Sequence, residues 1–136
     1  MMDFEQALRE EIVSAIPALG GRVYPLFAPE ATKHNGVPYL IYASSEGVRD
    51  KTLGGYLKSK EVRGELNIIT ERYSDLKAIT KQVVALLISL EGRQIGTDGP
   101  FIEAVAYQMP MEFYESQPDL RRCLVEFSVY FAEEGD

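Results

Sequence analysis

Among residue types suited to nucleophilic or metal-assisted chemistry, the sequence holds a single cysteine, Cys123, and a single histidine, His34. A thiol attacks only as thiolate, which requires a base or a cation beside it. Cys123 alternates with Val125, Phe127, Val129 and Phe131, so it shares the apolar face of a strand and reads as a small buried hydrophobe. His34 precedes Asn35-Gly36 and reads as a loop residue. One cysteine excludes an internal disulfide framework and a multi-thiolate zinc site, and one histidine leaves no His–His metal pair. The pairs Gly20-Gly21 and Gly54-Gly55 fit neither spacing of a phosphate-cradling loop and read as turns. Asp98-Gly99 lacks the spaced carboxylates of a calcium loop. Glu10-Glu11 and Glu133-Glu134 read as solvated charge. No catalytic, cofactor-binding or metal-binding residue is singled out, and no cofactor is expected.

What remains is an asymmetry of charge. The chain carries 14 Lys and Arg against 21 Asp and Glu, a net of −7. Clustered cations are what nucleic-acid binding requires, so specific nucleic-acid binding is not expected. Residues 47–63 nevertheless hold Arg49, Lys51, Lys58, Lys60 and Arg63 against Asp50 and Glu61, a local net of +3 on a remainder of −10. A solvated loop accounts for this, and so does a basic arm that docks on an acidic partner such as a second copy of the chain. In the second case Arg49, Lys51, Lys58 and Lys60 steer the encounter, and Tyr56 and Leu57 supply the apolar anchor.

These residues need elements to place them. Phe4, Leu8, Ile12 and Ile16 recur at helical spacing and predict a helix over 3–17, with Asp3 as its cap. A short strand follows over 22–27, its Pro25 pointing to a sheet edge, and then a loop over 28–36. Pro38–Ser45 predicts a strand apolar on both faces, with Tyr39, Ile41 and Ala43 opposed to Leu40 and Tyr42. Such a strand is central under two layers or covered on one side by a partner subunit, which makes Leu40 and Tyr42 candidate interface residues. Residues 47–60 read as a flexible loop or loose hairpin. Glu61–Thr70 alternates as a half-exposed strand. Leu76, Ile79, Val83, Leu86, Leu87 and Leu90 predict a second helix over 74–91, capped by Ser74 and stopped by Gly92. Two strands close the chain, over 101–109 and 121–132. The expectation is one domain over 1–136 of α+β class, with an antiparallel or mixed sheet of about five strands in the order α-β-β-β-α-β-β. The longest apolar run, Val83–Leu90, is too short to cross a bilayer, and the acidic start does not resemble a signal peptide.

Several phrases together resemble the tail terminator, or tail completion, proteins of long-tailed bacteriophages. They are Ala18-Leu19-Gly20-Gly21 with Arg22-Val23-Tyr24-Pro25, then Val37-Pro38-Tyr39-Leu40-Ile41-Tyr42, then the strand–helix unit from Glu65 through Tyr73-Ser74-Asp75-Leu76 to Leu87, and the long last strand with its acidic tail. The resemblance implies a non-enzymatic virion protein that forms a ring, typically of six copies, at the head-proximal end of the tail. There it caps the tail tube, stops its polymerisation and joins it to the head connector. The implied partners are the tail tube protein, the connector or stopper protein and further copies of the chain, with assembly in the host cytoplasm. An acidic body suits a bore through which DNA slides. The alternatives are a head–tail adaptor on the connector side of the joint and a cytosolic α+β enzyme or ligand-binding domain.

Overall fold

Two long strands organise the molecule. The computed structural model describes residues 2–26, 38–116 and 119–132; His34, the loop over 28–36 and Glu133-Glu134 lie outside them. Strand β4 (Gly55–Thr70) and strand β8 (Asp119–Ala132) run antiparallel, in register from Ser59 opposite Ala132 to Thr70 opposite Arg121. Each is longer than either strand along its other edge, so that edge takes two. Along β4 lie β2 (Tyr39–Ser44), paired with residues 64–69, and β3 (Val48–Thr52), paired with residues 55–61. Along β8 lie β6 (Phe101–Tyr107) and β7 (Met111–Ser116). The short strands β1 (Val23–Pro25) and β5 (Arg93–Gln94) finish the two edges. The sheet is mixed, with β1 parallel to β2 and every other pair antiparallel. It has eight strands, not about five: β5 and β7 were not expected, and β3 with the start of β4 makes a hairpin, one of the two readings of residues 47–60. Pro25 sits on an edge strand, where a missing N–H does least harm.

Helix α1 (Phe4–Ala15) and helix α2 (Tyr73–Ser89) cover one face of this sheet. Asp3 caps α1 as expected: the Gln6 amide donates to Asp3 Oδ1 at 2.8 Å, and the Asp3 amide donates to Gln6 Oε1 at 3.4 Å. Pro17 opens a short 3-10 turn over Pro17–Leu19 rather than ending the chain's helical run outright. Ser74 does not cap α2. The cap residue is Arg72, without a side-chain cap bond, and the helix starts one residue earlier at Tyr73.

The alternating residues Val62, Leu66, Ile68, Cys123, Val125, Phe127, Val129 and Phe131 meet the helix stripes Phe4, Ala7, Leu8, Ile12, Leu76, Ile79, Val83 and Leu87 in one core. The Phe4 ring stacks 5.5 Å from Phe131 and lies 6.2 Å from Phe127. Gly64 is opposite Phe127 in register, and a Cβ there would lie 2.7 Å from both the Phe127 ring and the Ala43 carbonyl oxygen. The aromatic ring takes the space that the glycine leaves.

Strand β2 buries Leu40 and Tyr42 on one face and Tyr39 on the other, where Ile41 and Ala43 stay half-buried. Leu40 and Tyr42 enter the main core, while Tyr39 joins Ile69 and Leu120 in a second cluster on the opposite side, with Tyr24 and Ile41 against it.

An ion pair locks α1 to the far edge. Arg93 donates to both Glu11 oxygens, at 2.8 and 3.1 Å, and the Gly96 amide donates to Glu11 Oε2 at 2.8 Å. The guanidinium holds the Glu11 carboxyl below its ordinary value of 4.5, against the opposing pull of partial burial, and the Gly96 amide adds to the lowering. A carboxyl depressed in the folded state stabilises above its unfolded pKa and loses that contribution as pH falls through the folded one. Glu11→Gln should therefore cost about 1–2 kcal/mol at neutral pH, a range that allows for the partial exposure of the pair. In urea unfolding the gap between variant and parent should close progressively below pH 4.5. A gap independent of pH would assign the loss to packing instead.

Candidate functional site

The hairpin β3–β4 runs past the end of its neighbours. Among the described residues, β4 pairs with β8 as far as Ser59, and Thr52–Lys58 has no sheet partner outside the hairpin itself. Of the two readings for residues 47–60, the structure shows the hairpin. Its turn is built locally: Thr52 Oγ1 accepts from the Gly54 amide at 3.2 Å and donates to the Gly55 carbonyl at 3.3 Å, with Gly55 at φ +115°. At its base Gly47 takes φ +94°, and a Cβ there would stand 2.7 Å from the Glu61 carbonyl oxygen. The Tyr130 hydroxyl on β8 donates to the Asp50 carboxylate, tying β3 to the body across β4. That bond keeps the phenol protonated and pushes its pKa up.

The projecting part is apolar as well as basic. Leu53 at the tip is fully exposed, Val48 and Tyr56 are 76% and 68% exposed, and Leu57 is exposed too. Arg49, Lys51 and Lys58 are exposed, and Lys51 Nζ lies 5.1 Å from the centre of the Tyr56 ring. Lys60 departs from this group. It is 6% exposed, its Nζ sits 3.3 Å from Glu46 Oε1 and 5.8 Å from the Phe131 ring, and it belongs to the hairpin's foundation, not to its docking face. Arg63 is likewise engaged within the chain, 2.8 Å from Glu61. The structure thus gathers Lys51, Tyr56, Leu57 and Lys58 at the projecting end of the hairpin, with Arg49 nearer its base opposite Lys60, while Leu40 and Tyr42 lie apart from it on β2. Leu40 is 0% exposed and Tyr42 7%, so both side chains are taken up by the core of their own chain. The residue missed is Leu53, whose signal was a large apolar side chain placed directly before a glycine pair in a turn.

Other concavities offer less chemistry. A cavity of about 270 Å³ at the start of α1 is lined by Asp3, Glu5, Ser44, Glu46 and Lys60, and its polar groups satisfy one another: Ser44 Oγ donates to Glu5 at 2.6 Å and Lys60 pairs with Glu46. A groove of about 530 Å³ between α2 and the β6–β7 corner is lined by Val84, Ala85, Ile88, Tyr107 and Pro110, with Lys77 and Glu112 paired at 2.9 Å. The Cys123 thiol is fully buried, and burial pushes its pKa up, away from thiolate. Among the described residues no three His, Cys, Asp or Glu side chains converge as metal ligands. No described helix is long and apolar enough to cross a membrane.

No family model and no curated protein matches the chain. Solved structures do share its fold. A chain of the virion of a native gene transfer agent (GTA) particle superposes with a TM-score of 0.63 at 16% identity, over 94% of this chain and 90% of that one. A second solved chain, known only by a sequence identifier, gives 0.55 at 12% identity, over 98% of this chain and 93% of that one. At these identities the likeness is one of fold.

Proposed function

We propose that this protein is a non-enzymatic component of a phage-like virion. It forms a ring at the head-proximal end of the tail, ends tube polymerisation and joins the tube to the head connector. The observation that carries this reading is the shared fold over 94% of the chain with a component of a virion particle. The phrases of this chain that resemble the tail terminator family favour a position at the head-proximal end of the tail. The projecting hairpin is consistent with it, because Leu53, Val48 and Tyr56 expose apolar surface that association would remove from water. A ring requires a heterologous contact in which two different patches of the same chain meet at every joint. Tail tube protein, connector protein and further copies of the chain are the partners, and ring formation by six copies is the expected closure. Its net charge of −7 disfavours adhesion of DNA passing through the bore.

Electron microscopy of particles carrying a tagged copy tests the reading. The label should form a ring between tube and head. Label along the tube or at the distal tip overturns the reading, and label on the connector side of the joint makes the protein a head–tail adaptor.

A further inference from the structure

The hairpin and the middle of the helix-free face carry opposite charge. Arg49 is opposite Lys60 in register and Lys51 opposite Tyr56, with a register shift between the two pairs, and Lys58 lies in β4 between them, so the three cations gather along one short stretch of the hairpin. The helix-free face presents Glu61, Glu65 and Glu126 from the middle of β4 and β8. Glu65 and Glu126 are direct partners in register, and like charges so placed weaken a sheet. Arg63, the cation of this stretch of β4, is held by Glu61. The surface is also hollow there: clefts of about 280 and 370 Å³ share Arg63, Gly64 and Glu126.

We propose that this acidic trough receives the basic stretch of the hairpin from a second copy of the chain. The inference rests on the ring reading above and names the surface on which each copy seats its neighbour. Charge complementarity selects the occupant, since Arg49, Lys51 and Lys58 answer Glu61, Glu65 and Glu126. The contact is between copies because the hairpin is an extension of β4 itself, fixed in line with the strand whose middle forms the trough. The neighbour's cations relieve the Glu65–Glu126 repulsion, which the isolated subunit bears.

The test mixes unlabelled and isotope-labelled full-length chains, lets them associate at high concentration, couples them with a zero-length carbodiimide and reads the joined peptides by mass spectrometry. Mixed-isotope pairs joining Lys51 or Lys58 to Glu65 or Glu126 are expected. Lys51→Glu with Lys58→Glu should weaken self-association by about tenfold, and mixing that variant with a Glu65→Lys, Glu126→Lys chain should restore it. Mixed pairs only at other carboxylates, no mixed pairs, or failure of the reciprocal variant to restore association overturns the inference. A labelled ring beside the head without these cross-links keeps the virion role and removes this joint. These cross-links in a chain located elsewhere keep the joint and remove the role.

Discussion

A chain carrying Phe127→Asp should lose its cooperative unfolding transition altogether. Phe127 is 4% exposed, lies against Phe4 and fills the space above Gly64 at the centre of the helix-facing side. A carboxylate there is desolvated, or protonates at a cost, and the ring's dispersion contacts disappear with it. Substitutions of this kind exceed about 4–5 kcal/mol, which consumes most of the 5–15 kcal/mol that holds a domain of this size. Phe127→Leu keeps the site apolar and should cost only about 1–2 kcal/mol, with cooperativity intact. Circular dichroism during thermal unfolding separates the two. A cooperative Phe127→Asp variant would place the core somewhere other than under α1 and α2.

How much of this was legible depended on whether burial left a period in the sequence. Cys123 through Phe131 alternates because one face of β8 meets the helices and the other meets solvent, and the two helix stripes are legible for the same reason. Strand β3, with the sequence Val48-Arg49-Asp50-Lys51-Thr52, buries neither face, so pairing alone defines it and composition suggests a loop. Strand β7 is hidden in the same way, with Met111, Glu112, Phe113 and Tyr114 all exposed. Lys60 misled in the opposite direction. It continues the inward alternation of Val62 and Leu66, and its aliphatic stem is buried while its ammonium reaches Glu46. Charge alone could not show that. A strand apolar on both faces left two readings for β2, central under two layers or covered on one side by a partner; Leu40 and Tyr42 enter the main core, and Tyr39 packs beside Ile69 and Leu120 on the other face.

Removing the hairpin's apolar tip should leave the fold untouched and abolish joining. Leu53 and Tyr56 make little packing contact with the body, so Leu53→Ser with Tyr56→Ser should shift thermal unfolding negligibly, as exposed substitutions do. In an assembled ring the same side chains would be the aromatic and aliphatic anchors on which interface energy concentrates, and losing both should weaken each joint by roughly a hundredfold. Closure multiplies that loss over every joint, so tails bearing the variant should fail to join heads. Two single variants separate docking from folding. Lys58→Glu, at an exposed position, should reproduce part of the joining defect with normal stability. Lys60→Glu places a carboxylate beside Glu46 and under Phe131, and should cost about 2–4 kcal/mol of stability whatever it does to joining. Particles that join normally with the double tip variant would remove the hairpin from the joint. Equal stability of the two lysine variants would mean that Lys60 is as free of the core as Lys58.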